Sequence, residues 1–538
     1  MASPADIPAL VNSAVAATWP PGTAPSASDA MGMIAAVTAM GNRVGWLPGA
    51  LQAAAFQVAG QTLSAQKLVV AAASPSPNVP IIATGSITPR TPADRFADAV
   101  NVKDFGAAGD GASHPLSNYF GSLAAAQVDY PHATALADEI DWAAIQGAIN
   151  WAMTHGVPEI KLNGQYRINH TISIQGVSGN TAPTFGGPGP GFYQSALIWY
   201  GNGGVPVVRL SDCIGAVIHD LNIESRNPSG IPSAGLSIYQ GSGGTSASNI
   251  VRNVMIGTQA AFGNQFVDGI DVEGSTNGTN SEHRFENVTI NGCSRAGMRF
   301  ASGQNGNTLI NRLNVSNSLY GFWGASTHYG SDWAFNGITG ADFYYPIGDD
   351  FALNSYVQIY ITGFSSEQDA RLAVMDGAGV LSIRSGSFQC TPLLAADGKV
   401  ISADNGYDHE LLLSNFQFSG GGVGTPTNRR LSFHAIGLSH GNFRLERMTN
   451  WSVLDGGTYG FDVGGDAQFS AFIEVQDPTT GVYDNMNQIE TQYAAGLLDS
   501  GRIDSPGVIR KRGTKTTADA TPVVAFDYVP RIRNHYAI

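Results

Sequence analysis

The chain has little of what usually marks chemistry in a sequence. Three cysteines, Cys213, Cys293 and Cys390, stand far apart and odd in number among 538 residues. That excludes a disulfide framework and a spaced zinc-thiolate set, and predicts core thiols. Charged residues are only 13% of the chain, and 28 Lys+Arg against 42 Asp+Glu leave a net charge of −14 with no basic tract. Nucleic acid is therefore excluded as a partner, and a polyanionic ligand would need local cations or a bound metal. No run of about 18 apolar residues occurs, so no membrane insertion is expected. The start, Met1-Ala-Ser-Pro-Ala-Asp-Ile7, has no basic region followed by an apolar stretch, so no Sec signal is expected. Glycine is plentiful (66 residues), and the apolar 43% comes in short runs. Many short strands and turns follow, and a chain this long forms one core only if it grows by repetition.

The repetition is visible. A short strand led by glycine recurs as Gly235-Leu-Ser-Ile-Tyr239, Gly269-Ile-Asp-Val-Glu273, Gly297-Met-Arg-Phe300 and Gly321-Phe-Trp323, at offsets of 34, 28 and 24 residues. These are coil lengths for a β-solenoid with one variable loop. Each is expected to be followed by a second strand, at Phe285–Ile290, Leu309–Val315, Ala334–Thr339 and Gln358–Phe364. Further coils pass through Leu372–Val374, Leu381–Ile383, Leu411–Leu413 and Phe443–Leu445.

Both ends differ in texture. Residues 1–95 are rich in alanine and proline, with helical pattern over Ile7–Ala17, over Ala27–Ala39 and from Ala50 into the sixties. The segment reads either as an attachment or trimerisation module or as a flexible leader. Next come Val100-Asn-Val-Lys-Asp-Phe-Gly-Ala-Ala-Gly-Asp-Gly111, an amphipathic run from Asp141 to Trp151 and the strand pair opening at Ile160. A strand entering a glycine turn, a helix and a strand pair suit the closure of a solenoid's first coil, which would otherwise leave apolar side chains wet. The capping helix is expected over about 141–153, with Asp141 as its N-cap. An aromatic-bearing insertion, His114 to Asp138, is expected to pack over it. Residues 496–538 read as a C-terminal β tail, truncated or paired with neighbouring subunits.

The Val100–Gly111 phrase, the helix after it and the strand from Ile160 resemble the start of pectin-lyase-like proteins, in particular the phage tailspike group. The resemblance implies an all-β fold, a right-handed single-stranded parallel β-helix over about 96–495. It further implies a homotrimer, a bacterial polysaccharide as ligand, attachment to a phage tail or baseplate protein through the N-terminal module, and a place in the virion tail or outside the cell. The polysaccharide depolymerases of this group give the leading expectation, an endo-glycosidase that hydrolyses a capsule, O-antigen or exopolysaccharide. The alternatives are a lyase acting by β-elimination on a uronic-acid glycan, a non-catalytic receptor-binding spike and a bacterial secreted glycosidase of the same fold.

Candidate chemistry follows from strand alternation. In Gly269–Glu273 the apolar Ile270 and Val272 point inward, so Asp271 and Glu273 share the outer face. Aligning coils by their glycines sets Tyr239 below these acids, Arg299 above them and Trp323 one coil further, about 4.8 Å per coil. Hydrolysis of a glycosidic bond needs two carboxyl groups about 5 to 9.5 Å apart. Asp271 and Glu273 are therefore catalytic candidates, with Tyr239, Arg299, Trp323 and His328 as substrate-binding ones; the plainer reading pairs the acids with Arg299. Asp332 and Glu367, in phrases resembling tailspike segments near turns, form a competing acid pair, although Asp332 would also serve a turn and Glu367 would also pair with Arg371. No cofactor is expected for a hydrolase. Under the lyase alternative Ca2+ would sit among Asp268, Asp271 and Glu273, with Arg299 as base. The acid-histidine and later arginine phrases of those lyases are missing, and no Gly-His-Gly follows Asp349-Asp350, so neither the pectate-lyase nor the polygalacturonase signature is present.

Overall fold

In a computed structural model of the chain, the described residues are 57–58, 61–62, 98–176, 183–188, 195–241, 244–258, 265–274, 279–301, 307–324, 334–353, 357–377, 379–390, 399–403 and 409–419, together with strand segments between 428 and 498 and residues 523–524. Two compact units divide at Phe96/Ala97. Within the first, Gln57–Val58 pairs antiparallel with Gln61–Thr62. A helix was expected across these positions, but this antiparallel pair stands there instead. The helical patterns at Ile7–Ala17 and Ala27–Ala39 lie outside the described residues.

The second unit is a single-stranded parallel β-helix, shown by its register. Leu236 pairs with Ile270, Ile270 with Met298 and Met298 with Phe322, so the rungs are the glycine-aligned ones. Parallel pairing continues through Phe351, Ala373, Ile401, Leu431 and Phe461. On the neighbouring face, parallel pairing runs up to Gln468–Gln476, and the next strand, Tyr483–Ala494, pairs antiparallel. The two strands expected as separate in each coil merge in the middle of the stack. Arg284–Phe300, Leu309–Gly324 and Ala334–Leu353 each run from one face to the other as one bent strand.

Glycine leads the rungs because there is no room for anything larger. A Cβ on Gly235 or Gly297 would meet the branched side chain of Ile256 or Val315, on the neighbouring face, at 2.5 Å. The chain turns a corner through a stack of left-handed residues, Asp220 (φ 51), Asn253 (52), Asn287 (54) and Arg312 (61). The amides of this stack donate to the rung below, Asn253 Nδ2 to Asp220 Oδ1 at 2.9 Å and Asn287 Nδ2 to Asn253 Oδ1 at 3.0 Å. The short polar side chains of Asp220, Asn253 and Asn287 tolerate this conformation, and the ladder gives each asparagine amide an acceptor. Inside, like residues stack rung on rung: Phe300 on Phe322 at 5.1 Å, then Phe351 at 6.3 Å. Each ring buries enough apolar surface to contribute about 2 kcal/mol.

The lower end is closed as expected by a helix, α1, spanning Ile140–His155. The insertion packs over it. Leu116, Ala126, Tyr130 and Ala133 are buried, the Tyr130 hydroxyl donates to Phe105 O at 2.7 Å, and His132 Nε2 bonds Ala143 O at 2.8 Å. Asp141, however, is not the N-cap. Glu139 holds that position without a side-chain cap bond. Asp141 turns into the cap and accepts from the backbone N–H of Ala108 (2.7 Å), Gly109 (3.1 Å) and Arg167 (3.0 Å), fastening the glycine turn to the first coil. Cys213 and Cys293 are buried free thiols, as expected; the Cys390 side chain lies outside the described residues.

Candidate functional site

One outward column of the β-helix gathers the chemistry. In successive rungs it reads Ser173, Arg209, Ser237, Asp271, Arg299 and Trp323, and two residues further along the strands a parallel column reads Ser211, Tyr239 and Glu273. Their inward neighbours Ile238, Ile270, Val272, Met298 and Phe322 are fully buried and fix the direction of the outward side chains. Tyr239, Asp271, Glu273, Arg299 and Trp323 are therefore brought together, in the order that glycine alignment gives.

The two acids are not equally open. Both were expected on an exposed face, yet Asp271 is 5% exposed, because Arg299 of the next rung lies over it and donates from Nη1 to Oδ1 at 2.8 Å and Oδ2 at 2.9 Å. The Glu273 side chain remains 35% exposed and stands 3.9 Å from the same Nη1 and 3.7 Å from Arg209. Burial holds the Asp271 carboxyl above the usual range; Arg299 pulls it down, and the nearby charges of Glu273 and Asp268 push it further up.

Two arginines that sequence reasoning did not place in the strip, and Asp268, named there only as a calcium ligand, complete it. Asp268, fully buried, accepts from Arg295 and from the Ala296 N–H. Arg295 and Arg299 lie 5.2 and 5.4 Å from the Trp323 ring centre, and Arg209 lies 4.1 Å over Tyr239. Both aromatic platforms are thus partly covered by guanidinium groups. Arg209 was legible, since it sits one rung below Ser237 in a strand of its own, Val208–Ser211. Arg295 was not: the register shifts between Cys293 and Ala296, and that shift aims it at the strip.

Of the rival acid pair, only Glu367 is among the described residues. Glu367 is exposed inside the strand Val357–Asp369 rather than at a turn, opposite Tyr344 on another column, and Arg371 stands opposite Asp349. Asp332 and His328 lie outside the described residues. His283 is fully buried; its Nε2 bonds Asn280 Oδ1 at 2.7 Å, and burial lowers its pKa to about 3. The acids named for calcium do not fit that ion: Asp268, Asp271 and Glu273 each face a guanidinium that already supplies the positive charge.

Fold and strip define a parallel β-helix protein with an arginine-clamped acidic and aromatic outer face. No protein-family model and no curated protein matches the chain. Among solved structures, the tailspike protein gp49 from Pseudomonas phage LKA1 is 15% identical, with 68% of this chain and 78% of that chain covered at a TM-score of 0.40. Geobacillus virus E2 ORF18 is 13% identical over 74% of this chain and 65% of that one (TM-score 0.39), and the endo-xylogalacturonan hydrolase from Aspergillus tubingensis is 12% identical over 71% and 93% (TM-score 0.32). The β-helix itself rests on the strand register. Among the described residues no helix is long and apolar enough to cross a membrane.

Proposed function

We propose that this protein binds a bacterial surface polysaccharide along the Arg209–Trp323 strip and hydrolyses it, with Asp271 and Glu273 as the carboxylate pair. The observation that carries this reading is their asymmetry: one buried acid with a raised pKa and one solvent-open acid, two positions apart on one strand and sharing one arginine nitrogen. Positions two apart on a strand lie about 6.6 Å from each other, within the span that glycoside hydrolysis uses. A buried carboxyl with a raised pKa is suited to protonate a leaving oxygen, and an exposed one to act on the sugar or on water. Tyr239, one rung below the pair, and Trp323, two rungs above it, offer ring edges to a sugar. The setting as a trimeric tail spike joined through its N-terminal module to a phage tail or baseplate rests on the likeness of the Val100–Gly111 phrase.

A glycan-binding spike without turnover is the second reading, favoured by the two short bonds that hold Asp271 to Arg299. The test is incubation with capsule, lipopolysaccharide and exopolysaccharide preparations, followed by mass spectrometry and ultraviolet absorbance of any oligosaccharides. Fragments carrying an added water, lost in Asp271→Asn and Glu273→Gln, support hydrolysis. Ultraviolet-absorbing unsaturated ends would replace it with elimination, and binding without fragments would leave the spike.

A further inference from the structure

A second cluster, outside the strip, is built on the same plan. Arg167, on the first-coil strand Gly164–Ile168, lies 3.7 Å over the ring of Tyr200, which follows the next-rung strand Ser195–Trp199. Its Nε is 2.8 Å from Glu139, whose side chain is only 7% exposed. On the rung above, Arg226 donates from Nε and Nη2 to Glu224 Oε2 at 3.0 and 2.9 Å, and Asn222 donates to Glu224 Oε1 at 2.6 Å. Glu224 is nearly fully covered while Arg226 is 47% exposed. Burial works against the Arg226 charge, but Glu224 and Tyr200 more than offset it and its pKa is raised.

In both places a carboxylate anchors an arginine against a tyrosine, as Glu273 does for Arg209 over Tyr239. At Tyr200 the acids are underneath and the guanidiniums outermost. The adjoining loops, Tyr-Gly-Asn-Gly-Gly-Val-Pro-Val from Tyr200 to Val207 and Arg-Asn-Pro-Ser-Gly-Ile-Pro-Ser from Arg226 to Ser233, contain no acid at all. On a chain of net charge −14, this is a surface where an anionic group meets two guanidinium groups whose carboxylate partners are covered. We infer that the Arg167–Tyr200–Arg226 cluster is a second glycan subsite, which holds an acid-bearing sugar, carboxylated or sulfated, apart from the strip. The inference extends the polysaccharide reading above, but its readout is binding and does not depend on cleavage.

The test is affinity electrophoresis of the full chain through polygalacturonate, dextran sulfate and neutral dextran. The double variant Glu224→Gln with Arg226→Gln removes the fork without leaving a buried charge unpaired, and its melting midpoint is expected to stay near the parent's. The parent should be retarded by at least one acidic polymer and not by dextran. The double variant should lose about tenfold in affinity, the worth of one charge-assisted pair, and Arg226→Lys should lose part of it. A parent that neither acidic polymer retards, equal retardation by dextran, or a double variant that binds like the parent would overturn the subsite. The cleavage assay decides the strip separately: absence of fragments there would fail the hydrolase reading and leave this result standing.

Discussion

Asp141 in the cap and Asp271 on the strip are both aspartates buried within the first half of the β-helix, and they are held in opposite ways. Asp141 accepts only from the backbone, with N–H groups arriving from the glycine turn and from the first coil. Asp271 is covered by one long side chain, Arg299, which also reaches towards Glu273. Backbone donors cannot leave without unfolding the cap, whereas a guanidinium can exchange one carboxylate for another or for a ligand. The same residue type, equally buried, is a fastener in one place and a candidate reacting group in the other.

That contrast can be broken most directly at the strip. Asp271→Asn and Glu273→Gln are each expected to lower turnover by a hundredfold or more, roughly the worth of a positioned acid or base, with little change in melting midpoint. Full turnover in either variant would remove the carboxylate pair from the mechanism. In the cap the expectation reverses. Asp141→Ala strands three buried N–H groups and should cost about 3 kcal/mol of stability, measured by denaturant unfolding, while turnover per folded molecule stays unchanged. A cap variant that loses turnover and keeps its stability would erase the distinction.

Smaller effects sharpen it. Trp323→Ala should weaken glycan binding by several-fold, near 1 kcal/mol for an aromatic contact, read by calorimetry against the same oligosaccharide. A pH dependence probes the cap as well. Burial pushes the Asp141 carboxyl from 3.8 up to about 6, against the pull of its three N–H bonds. Over that window the folded state holds more protons than the unfolded one, so this group's contribution to stability falls as pH rises from about 4 to 6. The parent should therefore lose more stability across that interval than Asp141→Asn. Stability rising instead, by comparison with that variant, would mean that the three N–H bonds outweigh burial.

The sequence by itself determined the rungs and their faces. The glycines at 235, 269, 297 and 321 mark the register, because a Cβ there would collide with the neighbouring face, and alternation along each strand then decides that Ile270 goes in and Asp271 goes out. The cap, its helix and the packing of the insertion were legible for the same local reasons. Only the tertiary structure decided which outward residue is covered. Arg299 buries Asp271 from 28 positions away in sequence, a register shift swings Arg295 towards Trp323, and Asp141 finds its N–H partners 26 to 33 residues distant rather than at its own helix terminus. Facing is a property of one strand, but exposure depends on the rung above, and only the folded stack brings the two rungs together.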